Sequence, residues 1–181
     1  MAETDPTLDG RYLEAFPSYL RSLGEDAGAL AAVVSSDAPE PVRRYVVAGL
    51  NYIFKSLDLI PDGIDDLGFL DDAFVLRVAA ALALAESGGG QPDPLGRLAA
   101  DATLIKTFLG DVYPRLESYV KNLRQGAARG RTVDDVIGSA ETQSTFLHEV
   151  AAWAKAYEVP SFTRDVKTLI KLKAFLSAKL S

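Results

Sequence analysis

Residues 50–84 constrain the fold more tightly than any other stretch. They read LNYIFKSLDLIPDGIDDLGFLDDAFVLRVAAALAL, two apolar runs around a turn that carries Asp58, Asp62, Asp65, Asp66, Asp71 and Asp72 and no basic residue between Lys55 and Arg77. Ile60-Pro61-Asp62-Gly63 is turn chemistry: proline presets one dihedral and glycine permits a positive one. Two apolar segments of similar length joined in this way fold back on each other, so the stretch predicts an antiparallel helical hairpin closed by the aspartate turn. The second run, 73–85, is shorter than the roughly 20 residues a membrane span needs. It also contains Arg77, and a buried helix accounts for it.

The flanking sequence reads as amphipathic helix throughout. Residues 11–23 place Tyr12, Leu13, Phe16, Tyr19, Leu20 and Leu23 at helical spacing, with Pro17 inside the pattern, expected to kink the helix or displace its start. A second helix is expected over 25–35, ended by Ser36-Asp37-Ala38-Pro39. Pro39 and Pro41 suit the first turn of a third, running to Lys55. Asp71 and Asp72 are placed to cap a fourth, which reaches Glu86. After the glycine-rich linker at 87–92, Leu95, Leu98, Ala102, Ile105 and Leu109 mark a fifth. Asp111 and Pro114 open a sixth, with Leu116, Val120 and Leu123 inward. Residues 125–131 form a basic loop. Thr132 and Asp135 resemble a capping box for a seventh helix, which carries Phe146, Val150, Trp153 and Tyr157 on one stripe to Glu158. The last, 162–180, carries Phe162, Val166, Leu169, Ile170 and Leu176 on one side and is expected to pack on the seventh. No strand pattern is visible. The reading is an all-α bundle of about seven or eight helices, an N-terminal region 1–90 holding the hairpin and a C-terminal region 91–181 packed on it as one globule.

Composition bounds the chemistry. The 181 residues are 48% hydrophobic and 24% charged, with a formal net charge of −6, no cysteine and one histidine. Apolar content of this size supports a packed core. An acidic chain lacks the positive face that nucleic-acid binding requires, so no nucleic-acid partner is expected. Without thiols there are no disulfides and no thiolate metal sites, and a lone His148 cannot build a multi-imidazole site. His148 begins His-Glu-Val-Ala-Ala, which has alanine where a zincin would need its second histidine; it reads as an exposed helix position. Residues 88–90 are not followed by the Lys-Ser/Thr of a phosphate loop. No secretory pattern opens the chain, and a cytoplasmic location is expected.

Three features can carry function. Asp58, Asp62, Asp71 and Asp72 could converge on a divalent cation such as Mg²⁺ or Ca²⁺, since hard cations take carboxylate oxygens; the competing reading is that they cap helices and close the turn. The spacing is not that of an EF-hand loop. Arg124, Arg129 and Arg131 could meet phosphate groups or simply be solvated. The last helix, with Lys167, Lys171, Lys173 and Lys179, could lie on an anionic membrane as a peripheral contact or in a partner's groove.

Asp58-Leu59-Ile60-Pro61-Asp62 followed by Leu67-Gly68-Phe69-Leu70-Asp71-Asp72-Ala73 resembles the YkvA-like family of domains of unknown function. Ser56 and Asp65 stand where that family usually has proline. The resemblance covers about 50–84. It implies a short helical hairpin module used in varied contexts, often near membranes, with no established reaction and no catalytic residues. The expected function is a non-enzymatic helical interaction or scaffold module with a protein partner and no cofactor. The alternative is a divalent-metal protein or metal-dependent hydrolase using the aspartate cluster.

Overall fold

The computed structural model describes residues 6–55, 59–61, 63–64, 66–88 and 94–180. Among them the chain is an all-α bundle: α1 Pro6–Val34, α2 Glu40–Tyr52, α3 Leu70–Glu86, α4 Leu95–Leu109, α5 Tyr113–Asn122, α6 Val133–Gly138, α7 Ala140–Ala156 and α8 Val166–Lys179, with 3-10 turns at each end of α5. One cluster of buried side chains runs from Tyr12 to Leu180.

The first two expected helices are one. α1 continues through Pro17 and Gly24, and its apolar stripe continues unbroken through Phe16, Leu20, Leu23, Ala27, Leu30 and Val34, all buried. Tertiary packing overrides the local break. A Cβ at Gly24 would lie 3.1 Å from the Ala154 carbonyl and 3.5 Å from the Tyr157 ring. The glycine is therefore where α7 crosses close over α1 rather than where α1 ends.

α2 and α3 form the expected antiparallel hairpin at the centre. Gly49 faces Leu76 and Ala79, while Tyr52 reaches Asp71; partners descend along α3 as positions ascend along α2. Phe54, just beyond α2, meets Phe146 of α7, with ring centroids 6.1 Å apart. α3 is buried almost all round, through Leu70 to Ala80 and again at Ala83. This is the signature of a central helix rather than a surface one. α4 packs along it with every expected inward residue buried, and Phe108 joins Phe16 and Phe74 in an aromatic knot with centroids 5.0–6.4 Å apart.

Three local expectations change. Asp111 does not cap α5; it sits in the 3-10 turn Gly110–Val112 that links α4 to α5, opened by Gly110 at φ +55°. The basic loop contains a short antiparallel ribbon, β1 Ala127–Ala128 with β2 Arg131–Thr132, which two residues per strand are too few to announce by alternation. The seventh expected helix is two. Thr132 and Asp135 make the capping box of α6, and Ser139 then starts α7 by accepting from the Thr142 N–H.

α8 docks on α1, not on α7. Its buried stripe is Leu169, Leu172, Leu176 and Leu180. Leu169 and Leu176 were expected there; Val166 and Ile170 were too, but they face outward at 38% and 60% exposure. The stripe of α7 is already taken by α1 and by the aspartate turn, so α8 rotates to place its leucines on the remaining apolar side of α1.

Candidate functional site

The aspartate turn is built from both ends of the hairpin. Asp58, Asp62 and Asp65 lie outside the described residues. Within them, the Ile64 N–H donates to the Pro61 carbonyl at 3.1 Å and the Gly68 N–H to the Ile64 carbonyl at 2.9 Å, folding the chain tightly back.

Asp71 is fully buried and does not cap α3. The N-cap is Phe69, in the left-handed region at φ +68°, with no side-chain cap. The Asp71 carboxylate reaches across to α2 instead. Its Oδ2 accepts from the Tyr52 hydroxyl at 2.5 Å and from the Ile60 N–H at 3.3 Å, while Tyr52 Oη accepts the Leu59 N–H at 2.7 Å. Burial, with the carboxylates of Asp71 and Asp72 nearby, holds the Tyr52 phenol far above its ordinary range, so it donates at any physiological pH. The carboxylate thus brackets the two ends of the turn onto one phenol.

Asp72, 2% exposed, raises the Tyr157 phenol second to burial itself. Tyr157 donates to the Leu20 carbonyl at 2.7 Å, and its ring meets Phe69 edge-on with centroids 5.4 Å apart. Asp66, also left-handed at φ +67°, accepts from the Thr163 hydroxyl at 3.0 Å. Among the described residues no group of three or more His, Asp or Glu side chains is arranged to hold a metal ion. Of the four proposed metal ligands, Asp71 and Asp72 are chain neighbours that are both buried, Asp71 bonded to Tyr52 and Ile60 and Asp72 lying near Tyr157, and Asp58 and Asp62 fall outside the described residues.

Removing either half of the bracket leaves a buried polar group unmatched, at about 1–3 kcal/mol and more when the group left is the charged carboxylate. Asp71→Ala and Tyr52→Phe should each lower stability by roughly this amount in chelator, and the double substitution by clearly less than their sum. Urea unfolding measures all three; full additivity would mean the two side chains do not act as a unit.

The basic loop is engaged rather than solvated. Arg131 pairs with Glu149 of α7, and Arg129 pairs with the same carboxylate at 3.0 Å. Burial works against ionisation of Glu149, but the two arginines outweigh it and hold the carboxyl below its usual range. Arg129 lies 4.5 Å over the Phe54 ring and Arg124 4.4 Å over Tyr45. These are cation–π contacts that fix the segment to α2 and to the turn that follows it. His148 is exposed, as expected.

An ionic centre that sequence patterning gave no sign of lies beneath the hairpin. Arg77 on α3 is 1% exposed. Its Nη2 meets Asp26 Oδ2 at 3.0 Å, its Nε meets Asp101 Oδ2 at 3.0 Å, and its Nη1 donates to the Ala73 carbonyl at 3.2 Å. Arg97 holds the other oxygen of Asp26 at 2.8 Å. The guanidinium stacks 3.9 Å from the Tyr19 ring, whose phenol burial and Asp101 push up to about 12 against the opposing pull of Arg77. Two arginines and two aspartates balance in charge, and the planar fork satisfies three elements at once. The centre joins α1, α3 and α4: Arg77 and Asp26 are sealed inside, while Asp101 and Arg97 reach the surface at 31% and 50% exposure, so the buried pair is a structural tie.

The outward face of α8 is the remaining feature. Four lysines and no carboxylate occupy this helix, in a chain of net charge −6. Val166 and Ile170 stand exposed among Lys167, Lys171 and Lys173. No helix among the described residues is long and apolar enough to cross a membrane.

The fold and these features define a helical bundle organised on a central hairpin. Comparison with protein-family models, with curated proteins and with solved structures finds no significant match to the chain.

Proposed function

We propose that the protein is a non-enzymatic helical scaffold that works by contact, meeting an anionic membrane surface peripherally through the outer face of α8. The observation that carries this reading is the division of labour on that helix. Leu169, Leu172, Leu176 and Leu180 hold it to the bundle, while Val166 and Ile170 are left outside among lysines. Each buried leucine contributes roughly 1.5–3 kcal/mol, whereas each lysine near an anionic leaflet gains about 1 kcal/mol. The helix therefore stays docked while its outer face touches lipid. The cytoplasmic leaflet is the anionic one, which fits the expected location.

Cosedimentation with phosphatidylcholine vesicles, with and without phosphatidylserine, tests it. Binding should require the anionic lipid and fall as salt screens it. Lys167→Gln with Lys171→Gln should weaken it about thirtyfold, from about 1 kcal/mol per lysine, with unchanged melting. Equal binding by the double variant would remove α8 as the contact. Calorimetry with Mg²⁺, Ca²⁺ and Mn²⁺ addresses the metal reading: saturable heat lost in Asp58→Asn and Asp62→Asn would favour a divalent-metal protein instead.

A further inference from the structure

A groove of about 450 Å³ opens where one face of α5 meets the C-terminal end of α8. Arg115, Ser118 and Asn122 line it from α5 at helical spacing, Tyr119 stands beside them, and Lys179 and Leu180 close it from the other side. Among the described residues no Asp or Glu side chain lines it. Glu117 of the same helix is held on the neighbouring face by Lys121, at 3.4 Å.

The donors here are unspent. Arg44, Arg77, Arg97, Lys121, Arg129, Arg131 and Arg164 each have a carboxylate partner. Among the described residues the side chains of Arg115, Ser118, Asn122 and Lys179 have no such partner and no hydrogen bond. Tyr119 adds a directed donor. Its Oη accepts from Lys55 Nζ at 3.0 Å, which leaves the phenolic proton without an acceptor among the described residues.

We infer that this groove binds a phosphate monoester, as a small soluble ester or as a lipid headgroup. A guanidinium fork matches two phosphate oxygens, an ammonium supplies a point charge, and the hydroxyl and amide supply neutral donors for the third oxygen. The volume lies within the range of small-molecule sites, so space remains beyond the phosphate for an organic group against Leu180. The inference does not rest on the membrane reading, which is carried by Val166 and Ile170 among Lys167, Lys171 and Lys173 and not by Lys179.

The test titrates the full chain with methyl phosphate at constant ionic strength, read by amide NMR shifts. Saturable shifts are expected along α5 and the last turn of α8. Arg115→Gln with Lys179→Gln should weaken them about tenfold, the loss of one strong charge-assisted contact or more. Lys106→Gln with Lys155→Gln, the same change of charge elsewhere, should leave them unaltered. Vesicles carrying phosphatidic acid then assign the source: displacement of vesicle-bound protein by methyl phosphate, lost in the groove variant, identifies a headgroup site, and vesicle binding indifferent to the groove variant identifies a soluble ester. Shifts that never saturate, spread over every lysine, or persist equally in the groove variant would overturn the inference.

Discussion

Arg77→Ala is expected to cost about 3–5 kcal/mol, the scale for breaking a buried ion pair from one side. The guanidinium is 1% exposed and serves Asp26, Asp101 and the Ala73 carbonyl together. Its loss strands a carboxylate that is itself 1% exposed, with only the Arg97 guanidinium and the Ser22 hydroxyl, at 2.8 and 2.7 Å, left to face it. Arg77→Lys should recover only part, because one ammonium cannot reproduce a planar fork aimed at three acceptors. Arg77→Met combined with Asp26→Leu should recover more than the lysine does, since it removes both fully buried charges and the two left over, Asp101 and Arg97, reach water. Urea unfolding followed by circular dichroism gives each value. A loss for Arg77→Ala within about 1 kcal/mol, the worth of an exposed pair, would show that the centre is solvated and not buried.

Gly49→Leu should destabilise by about 3 kcal/mol or more, at the upper end of overpacking. A Cβ at this position would already lie 2.9 Å from the Ala79 methyl and 3.4 Å from Leu76 Cδ2. The hairpin helices touch there, and α3 cannot retreat because α4 packs along it. Gly49→Ala sets two effects against each other. Alanine gains up to about 1 kcal/mol in helix propensity, while the clash costs about 1–3 kcal/mol; the net should be a smaller loss. Ala79→Gly in the Gly49→Ala background returns the missing space, so the pair should be more stable than the sum of its singles predicts. Thermal melting of the four proteins decides it. Additive behaviour would mean the helices relax apart without cost.

The difference between these residues and the aspartate turn shows how legibility falls off with distance along the chain. The hairpin was readable because its causes are local: Pro61, Gly63 and two apolar runs are neighbours in sequence. The Thr132–Asp135 capping box was readable for the same reason. Asp71 was misplaced because a carboxylate at a helix start has a local use as a cap, and sequence cannot show that Tyr52, 19 residues away, competes for it. The choice between the two is settled by burial: inside the core the carboxylate must find strong donors, and the phenol and the Ile60 amide supply them.

The sequence by itself determined the all-α class, the central hairpin, the inward residues of α4 and α5 and the aromatic stripe of α7. All of these follow from apolar periodicity and turn chemistry within a few residues. Only the tertiary structure decided that α1 continues through Gly24, that Arg77 draws Asp26 and Asp101 into one ionic centre, and that α8 rests on α1 with Ile170 turned outward. Each of those outcomes depends on which helix arrives beside which. A glycine reads as a break until another helix needs the space, and a lone arginine in an apolar run reads as an intrusion until two carboxylates from other helices close on it.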